Sequence, residues 1–366
     1  MKKVLLISNR VMHYRVSIYN YFAKRFNEVG WDFIVRSDQL QKQNPHEINF
    51  DFREIPFRFS LYKREITQSK PDAVIIFLHL KNCIIWPLLF WLKSQKIPVV
   101  FWTKGANLDN PNGIVSRSLY KFTHASFDRL ILYSRNEMKY IHSRHHHKVH
   151  VANNTLNFED FPEIKESKEE IKKGLGLHFD KVVLAVGRMN EGGGRKKLDH
   201  LIRVFEHVNS SDHGLVVVGT GVNDDLQAVM NRKNIIYLGE IYDPQHIQIS
   251  RIFKMADVFS LPGHVGLGLN QAFYWGLPVV TEEGSQPPEI NYLVHGRNGF
   301  IVPNNNLTAL KDRIFYLLTN DTERNKFSAN AREDILKHGS IQNMFEGFKS
   351  CLDSLGLKPN PDPMQS

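Results

Sequence analysis

The sequence is poor in cysteine and has no long hydrophobic run. Only Cys83 and Cys351 occur in 366 residues, far apart and outside any metal-ligand spacing. This excludes a disulfide framework and a zinc site, and we expect both thiols to be reduced and either buried or inert. No stretch reaches the roughly 18 to 20 uncharged apolar residues of a spanning helix, and MKKVLLISNR has no small-residue cleavage site. We therefore expect the protein to remain in the cytoplasm.

Acidic residues are scarce in the first part of the chain. Residues 1–150 carry 24 Lys and Arg against 11 Asp and Glu, a balance of +13, whereas the remainder carries −4. This asymmetry indicates an anionic partner for the N-terminal half, either a phosphate-bearing acceptor, an acidic membrane surface or nucleic acid. A solvated basic face without a partner is the alternative. Because no aromatic or helix-turn-helix motif accompanies the charge, we expect no nucleic-acid partner.

Internal repeats are also absent, and the chain instead alternates β-branched runs with helical periodicity. In the first half the strand-like runs are KKVLLIS, WDFIVRS, DAVIIF, PVVFWT and RLILYS, with helices predicted near 15–29, 82–95 and 135–143. A second series of this kind begins at Lys181. The pattern predicts an α/β protein made of two tandem Rossmann-like domains with doubly wound parallel sheets.

The predicted domains are 1–160 and 161–337, followed by a helix over 338–356 and a disordered tail over 357–366. The segment 152–168 mixes turn residues, a proline and charges and is predicted to link the domains. CIIWPLLFWL is too short to cross a bilayer and is predicted as a core helix, with a membrane-interface helix as the alternative. Ligands bind beyond the carboxyl ends of parallel strands, so we expect the active site in a cleft between the domains.

A glycine-rich loop separates a predicted strand from a predicted helix within residues 186–205. The strand ends at Gly187, Gly192–Gly194 follow, and the helix begins near Leu198. Glycines let the backbone approach phosphate oxygens, cations neutralise them, and a helix N-terminus adds its positive dipole end. The cations around this loop are Arg188, Arg195, Lys196 and Lys197. The segment favours a diphosphate site, with a flexible surface connection as the alternative.

A second helix start of this kind lies in SLPGHVGLGLNQAFYWGLPVVT. A strand ends, a loop containing Gly263, Gly266 and Gly268 turns the chain, and a helix beginning near Leu269 aims its free amides back at the loop. His264 in this loop is either a ligand contact or polar surface. Two anion-facing helix starts therefore follow strands of the second series.

Together these loops resemble the family 4 retaining glycosyltransferases. Members carry a VGR…K..D.LI segment whose arginine and lysine hold the donor diphosphate, and Arg188 and Lys196 match them here. GLPVVT, PEI and G..NGFIVP follow in order over 276–303. The resemblance implies a GT-B type fold of two facing Rossmann-like domains, with the C-terminal helix crossing back to the N-terminal domain. It also implies transfer with retention of the anomeric configuration, supported by fixed charges rather than by a metal or another cofactor.

Two glutamates of the family pattern are missing. The first lies near the donor sugar and the second binds the ribose hydroxyls, and here Gly263 and Gln271 occupy their positions, as in a family branch with PG.VGL in this loop. Gln271 can still hydrogen-bond a ribose diol, whereas Gly263 offers only backbone groups. Glu289 is either a substitute donor-side contact or a first-turn carboxylate of the following helix. Glu282 and Glu283 are further candidates for this substitute role, with solvated loop charges as the expected alternative.

The resemblance and the loop positions together assign the candidate site residues. The donor set comprises Arg188, Lys196, His264, Gly266, Leu267, Gly268 and Gln271, and the candidate catalytic set comprises His13, Lys104 and Glu289. Lys104 follows a strand where relatives often show a histidine–glycine pair, and it either binds a phosphate or is a surface lysine. His13 and Arg15 follow the first strand and are expected to border the cleft.

Two further patterns are assigned no catalytic role. The run from Arg144 to Lys148 contains three adjacent histidines, which cannot all reach one ion, so we expect a solvated basic loop and no metal site. The segment GTGVNDD is predicted as a strand-to-helix turn with Asp224 and Asp225 near the helix start.

We therefore predict a retaining hexosyltransferase that uses a nucleotide-diphosphate sugar, with a UDP-sugar favoured and a GDP-sugar next. The predicted acceptor is a saccharide, lipid-pyrophosphate-linked, in O-antigen or capsule biosynthesis at the inner face of the cell membrane, where an anionic surface would attract the basic half. The alternative is a catalytically silent module that binds sugar nucleotides, since both glutamates are absent.

Overall fold

The computed structural model describes residues 1–42, 44, 46–189, 194–206, 208, 212–222, 234–241, 243 and 245–357. The chain divides into two compact units. The first consists of Met1–Asn157 and the chain from Ile341 onward, and the second of Phe158–Ser340. Each unit contains one parallel β-sheet with helices, so the predicted pair of Rossmann-like sheets is confirmed.

Seven strands form the sheet in the described part of the first unit. They are β1 (Lys2–Ser8), β2 (Trp31–Ser37), β3 (Asp51–Glu54), β4 (Ala73–Phe77), β5 (Val99–Thr103), β6 (Arg129–Leu132) and β7 (Val149–Val151). Their order is β3-β2-β1-β4-β5-β6-β7, and the pairs are parallel. The carboxyl ends of the strands therefore meet at one edge, and the strand order reverses between β1 and β4.

Helices cover both faces of this sheet. They are α1 (His13–Glu28), α2 (Phe59–Ser69), α3 (Ile85–Ser94) and α4 (Ile114–Ser126), with 3₁₀ turns at Arg135–Tyr140 and Ser143–Lys148. One core contains Phe22 and Phe26 of α1, and the other contains Leu88 and Leu92 of α3. A sheet covered on both faces explains why its inner strands are continuous apolar runs rather than alternating ones.

The second unit repeats this plan with six strands among its described residues. They are β8 (Lys181–Val186), β9 (His213–Val218), β10 (Ile235–Tyr237), β11 (Val258–Ser260), β12 (Val279–Glu282) and β13 (Gly299–Val302), in the order β10-β9-β8-β11-β12-β13 with parallel pairing. The helices are α5 (Lys168–Gly174), α6 (Leu198–Glu206), α7 (Ile247–Met255), α8 (Leu267–Tyr274), α9 (Leu307–Thr319) and α10 (Asp321–His338). A capping box of Ser167 and Glu170 starts α5.

The last helix, α11 (Ile341–Asp353), belongs to the first unit although it follows the second in sequence. Its Phe345 and Phe348 join the core that α1 forms on the sheet, and the ring of Phe348 lies 4.9 Å from that of Phe22. Leu357, the first residue of the predicted tail, packs against this core. Residues 358–366 lie outside the described part of the chain.

Several local predictions need correction. The helix predicted at 135–143 is a 3₁₀ turn, because the Ser134 side chain accepts a hydrogen bond from the Asn136 amide and starts a tight local turn. The linker predicted over 152–168 begins with buried residues of the first unit, among them Asn154 and Thr155. Cys83 is exposed, whereas Cys351 is buried and burial raises the pKa of its thiol.

CIIWPLLFWL forms the start of the core helix α3, as predicted. Leu88, Leu89 and Leu92 are fully buried beneath the sheet, while Phe90 points outward and is 55% exposed. Among the described residues, none of the helices has both the length and the apolar character needed to cross a membrane.

Candidate functional site

The carboxyl edge of the second sheet gathers most of the predicted donor residues. Strands β8, β11 and β12 are neighbours in the sheet, and their parallel direction places the loops that follow them side by side. Arg188 follows β8 and is exposed, His264 follows β11, and Glu282 ends β12. The strand order reverses between β8 and β11, which is where open parallel sheets bind their ligands.

The loop after β8 ends in a tight turn that presents Lys196. Gly194 and Lys197 both have positive φ angles, 82° and 51°, and the Lys197 amide donates to the Gly194 carbonyl at 2.8 Å. A left-handed conformation is routine for glycine but uncommon for lysine, so contacts elsewhere must hold Lys197 in place. Gly192 and Gly193, predicted in this loop, lie outside the described residues.

Lys196 reaches across this edge to the loop that precedes α8. Its Nζ donates to the His264 carbonyl at 2.5 Å and lies 3.6 Å from where a Cβ on Gly266 would stand. Its Cε lies 3.4 Å from the corresponding position on Gly187. The stem and head of Lys196 thus pack against Gly187 and Gly266, and the ammonium group lies at the start of α8.

Helix α8 has an N-terminus that is suited to binding an anion. Gly266 is its N-cap residue with φ 60° and ψ −156°, and no side chain among the described residues caps the helix. Leu267 and Gly268 form the first turn, whose amides point out of the helix and carry the positive end of its dipole. Gln271 lies one turn further along, half-buried. Uncapped amides next to a lysine ammonium form the kind of site that binds phosphate.

The backbone of the β11–α8 loop is paired with the loop after β8. The Gly263 amide donates to the Lys196 carbonyl at 3.1 Å, and the His264 amide donates to the Arg195 carbonyl at 2.9 Å. A Cβ on Gly263 would stand 1.7 Å from the Arg195 carbonyl oxygen. A side chain at 263, where the resemblance places the first family glutamate, would therefore clash in this arrangement.

Glu282 is a buried carboxylate, and the prediction of a solvated loop charge is wrong. It is 0% exposed and accepts hydrogen bonds from Lys197 Nζ at 2.7 Å, His200 Nδ1 at 2.6 Å and the Asn305 amide at 2.9 Å. Burial raises the pKa of Glu282, but these hydrogen bonds outweigh it and hold the pKa below its usual value. Because Lys197 is the neighbour of Lys196, this carboxylate anchors the turn that presents Lys196. Glu283 is exposed, as expected.

Gln286, which the sequence did not single out, ties the same loop to β12. Its Nε2 donates to the carbonyls of Gly263 at 2.8 Å and Glu282 at 3.0 Å, and its Oε1 accepts from the Val265 amide at 3.2 Å. The Thr281 hydroxyl donates to the Leu261 carbonyl at 2.7 Å. These bonds satisfy the backbone groups of a buried irregular loop, which would otherwise be costly to bury.

Glu289 lies in the first turn of a 3₁₀ helix over Pro288–Tyr292 and is 6% exposed. Burial, followed by the charge of Glu289, raises the pKa of Tyr292. The first-turn position fits the helix-capping alternative, and the burial of the carboxylate distinguishes it from a surface charge. A role as a donor contact stays a prediction.

In the first unit, His13 and Lys104 follow the carboxyl ends of β1 and β5 at one edge of the sheet. His13 starts α1, and both its backbone amide and its Nδ1 bond the Gln41 Oε1, at 3.0 and 3.1 Å. Lys104 is exposed, and its Nζ lies 6.0 Å from the centre of the Tyr133 ring. Their assignment to an acceptor stays a prediction.

Arg15 is buried instead of bordering open space. It is 5% exposed, its guanidinium carbon lies 4.6 Å from the centre of the Trp102 ring, and Nη2 donates to Tyr133 and to Asn154, both at 3.3 Å. Its Nη1 is buried without a hydrogen-bond partner among the described residues. Arginine suits such an aromatic site because its flat guanidinium stacks on rings and is weakly hydrated.

In the described part of the chain, no group of three or more His, Cys, Asp and Glu side chains could hold a metal ion. The prediction of a solvated basic loop at 144–148 is only partly right. His145 within it is buried at 9% exposure, because the segment forms a 3₁₀ turn that directs this ring inward. Asp224 and Asp225 lie outside the described residues.

Comparison with known proteins finds a family match within the second unit. Residues 167–334 match the family Glycosyl transferases group 1. The chain is 27% identical over 186 residues to the poly(ribitol-phosphate) alpha-N-acetylglucosaminyltransferase of Staphylococcus aureus (strain COL), covering 48% of this chain and 36% of that protein. It is 26% identical over 205 residues to spore coat protein SA of Bacillus subtilis (strain 168), covering 52% and 53%. The chain thus spans about half or less of the length of these curated relatives.

A solved structure similar to this chain is that of HepE from Anabaena in complex with UDP. The TM-score is 0.76 at 13% identity, with 97% of this chain and 100% of that chain covered. At this identity the similarity concerns the fold alone. This similarity agrees with the two parallel sheets. Residues 167–334 therefore match the family Glycosyl transferases group 1, in a chain with the GT-B type fold.

Proposed function

We propose that the protein is a glycosyltransferase that binds a nucleotide-diphosphate sugar on its second unit and transfers the sugar with retention of configuration. The observation that carries this proposal is the Lys196 ammonium at the start of α8, where Gly266 is the N-cap residue and no described side chain caps the helix. A departing diphosphate needs charge stabilisation, and groups held in place before the reaction supply it most effectively.

Each predicted donor residue has a task in this proposal. Lys196 and the amides of Gly266–Gly268 bind the diphosphate, with Arg188 beside them at the end of β8. Gln271 bonds the ribose hydroxyls, while His264 and Glu289 contact the donor sugar. We propose a UDP-sugar first and a GDP-sugar next, in line with the UDP bound by HepE, and no metal, since cations of the chain neutralise the diphosphate.

For the acceptor we propose a phosphate-bearing saccharide or a lipid-pyrophosphate-linked saccharide of a surface polysaccharide, approached by His13 and Lys104. The excess of positive charge in residues 1–150 supports an anionic acceptor. So does the name of the staphylococcal relative, which acts on poly(ribitol-phosphate).

Attachment to the inner face of the membrane is part of this proposal. Ile114 and Val115 at the start of α4 are 84% and 83% exposed, and Arg117 and Lys121 follow on the same helix. Apolar and basic side chains on one helix favour an anionic membrane surface. We expect the protein to sediment with phosphatidylglycerol vesicles but not with phosphatidylcholine vesicles, and I114D/V115D to abolish this. Sedimentation indifferent to lipid charge and salt would contradict membrane attachment.

The donor proposal is tested by calorimetry with UDP, GDP, dTDP, CMP and their sugars. We expect one nucleotide class to bind and Arg188→Ala or Lys196→Ala to weaken it at least tenfold, about 1.4 kcal/mol. Lys173→Ala, which removes an exposed lysine of α5, is the control and should bind like the wild type. Binding that ignores both substitutions would reject this donor site.

A silent sugar-nucleotide-binding module is the second candidate, and one observation favours it. The backbone pairing of Gly263 with Lys196 leaves no space for a carboxylate at the position of the first family glutamate. Donor binding without transfer or donor hydrolysis, measured against a panel of saccharide and polyol-phosphate acceptors, would establish this candidate. Measurable transfer would exclude it.

A further inference from the structure

A basic cavity lies in the first unit, apart from the candidate donor residues of the second unit. It has a volume of about 250 Å³ and is lined by Lys121 and His124 from α4 and by His142, Arg144 and His145 from the segment before β7. All five lining residues are basic, and none of the lining residues among those described is acidic. Lys121 and Arg144 carry positive charge at this cavity without a carboxylate in its lining, and a bound anion would relieve their repulsion.

His124 is the most buried member of this cavity. It is 1% exposed, its ring hydrogen-bonds the backbone of Gly105, and its Nε2 is buried without a hydrogen-bond partner among the described residues. A buried polar atom without a partner is costly, so it indicates either strain or an absent ligand. Burial, followed by the charge of His145, lowers the pKa of His124 to about 4. The ring is therefore neutral at neutral pH until an anion favours its protonation.

Arg144 is held at the cavity by its neighbours. Its Nε donates to His145 Nε2 at 3.1 Å, and its backbone amide donates to His142 Nδ1 at 3.2 Å. Burial, followed by Lys148, Arg144, His142 and His147, lowers the pKa of His145, and no acidic group contributes. A neutral His145 accepts the arginine bond through Nε2, which leaves the guanidinium nitrogens beyond Nε for an anion.

The side chains next to this cavity make structural hydrogen bonds. Lys148 Nζ donates to the carbonyls of Ala125 and Phe127 at 3.1 and 3.0 Å and so caps the end of α4. The His146 ring bonds the Ile141 carbonyl at 3.0 Å. The nearby Asp128 accepts from the Val99 amide at 2.8 Å and from Lys93 at 3.4 Å. Structural hydrogen bonds thus explain why these side chains are placed where they are. They do not explain why basic residues line the cavity.

We propose that this cavity binds the phosphate group of a phosphate ester. A guanidinium, an ammonium and three imidazoles match a compact anion with several acceptor oxygens, for which arginine offers paired donors. The small volume accepts a single phosphate group with part of its ester, and the absence of a metal-binding group among the described residues leaves an anion as the ligand. The proposal rests on the first unit alone and is independent of the donor site.

The test is NMR titration of the histidine ring protons with inorganic phosphate and with glycerol 1-phosphate. Phosphate should shift the His124 signals and raise the pKa of His124 by about one unit, because a bound anion stabilises the imidazolium. Lys121→Ala and Arg144→Gln should each weaken phosphate binding at least fivefold. Lys139→Ala, which removes an exposed lysine of the preceding turn, is the control and should leave binding unchanged. Thermal unfolding of each variant confirms that it is folded.

The same titration is carried out in Lys196→Ala, because phosphate can also occupy the start of α8. The cavity proposal requires the His124 shift in both proteins, so a failure of the donor site does not affect it. Phosphatidylglycerol and phosphatidylcholine vesicles distinguish the source of the phosphate, since a lipid headgroup would compete with glycerol 1-phosphate for His124. Soluble phosphates that leave His124 unshifted, or bind Lys121→Ala as tightly as the wild type, would overturn the proposal.

Discussion

The Gly263 backbone lies so close to Arg195 that a single added carbon would stand 1.7 Å from the Arg195 carbonyl oxygen. Two backbone hydrogen bonds join these loops, from Gly263 to Lys196 and from His264 to Arg195. The glutamate-free position is therefore part of a specific packing of two loops rather than a vacant place. Restoring a glutamate there would separate the loops instead of adding a catalytic carboxylate.

Gly263→Ala should accordingly destabilise the second unit and weaken nucleotide binding. We expect a loss of about 3 kcal/mol in the free energy of unfolding, the upper end for overpacking, because the clash is with backbone that cannot rotate away. Urea unfolding and calorimetry measure the two effects. Gly174→Ala is the matched control, since its Cβ would meet only Arg251 Nη2 at 3.7 Å. Equal stability of the two variants would show that the loops separate easily.

Glu282→Gln should destabilise the turn that presents Lys196. The substitution leaves Lys197 and His200 without their buried anionic partner, for a loss of about 2 to 4 kcal/mol. Glu283→Gln, at the exposed neighbouring position, is the control and should change the free energy of unfolding by less than about 0.5 kcal/mol. An effect no larger than that of the control would mean that the ion pairs contribute nothing to stability.

The stabilisation by Glu282 should also depend on pH. Its folded-state pKa lies below the ordinary value of 4.5, so the ionised carboxylate favours the folded state. This contribution is fully present above pH 4.5 and is lost as the pH falls through the folded pKa. Acid unfolding curves of the wild type and Glu282→Gln should therefore converge as the pH falls from 4.5 through the folded pKa of Glu282. Curves that stay parallel over this whole range would exclude this titration as the cause.

Arg15→Lys should be more damaging than Arg15→Met. A lysine ammonium cannot stack on Trp102 as a guanidinium does and would be buried without an anion, whereas methionine fills the space without charge. We expect the lysine variant to unfold about 2 kcal/mol more easily than the methionine variant at pH 7. Arg64→Lys, at an exposed position of α2, should be neutral.

The pH dependence of the lysine variant distinguishes charge burial from poor packing. Burial lowers the pKa of a lysine, so the unfolded state binds more protons and stability rises with pH between the folded and unfolded pKa values. The gap between Arg15→Lys and Arg15→Met should therefore narrow from pH 7 to pH 9.5 in urea unfolding. A constant gap would indicate a packing defect.

Gln286→Glu should loosen the loop before α8. It replaces an amide that donates to the Gly263 and Glu282 carbonyls with a carboxylate facing the same oxygens. We expect a loss of about 2 kcal/mol at pH 7 and a smaller loss at pH 5, where the buried carboxyl is partly protonated and can donate. Gln245→Glu, at an exposed position, provides the comparison in thermal unfolding. Equal thermal unfolding midpoints for both variants would show that Gln286 does not stabilise the loop.

Much of the fold was predictable because periodicity reports on burial. The helices predicted near 15–29 and 82–95 are α1 (His13–Glu28) and α3 (Ile85–Ser94), with bounds within three residues of the prediction. The prediction of a helix at 135–143 was wrong. A local hydrogen bond from the Asn136 amide to the Ser134 side chain competes with helix formation, and hydrophobic periodicity gives no information about such a bond.

The site was only partly predictable. Arg188, Lys196 and the glycines of the β11–α8 loop stand at strand ends that can be read from the chain, because parallel strands bring their carboxyl ends to one edge. The burial of Glu282 was not predictable, since its partners Lys197, His200 and Asn305 lie 85, 82 and 23 positions away. Gln286 carried no motif, and its role depends on carbonyls of Gly263 in the β11–α8 loop and Glu282 in β12.

The sequence by itself determined the elements, the two parallel sheets and the glycine-rich helix starts, because these follow from local periodicity and backbone freedom. Only the tertiary structure decided which charges are buried and what they face. It placed Arg15 among aromatic rings, Glu282 between Lys197 and His200, and His124 in a basic cavity. The burial and pairing of a charged side chain depend on segments that are distant along the chain. The energy of the charge therefore depends on the groups that surround it in space more than on its neighbours in sequence.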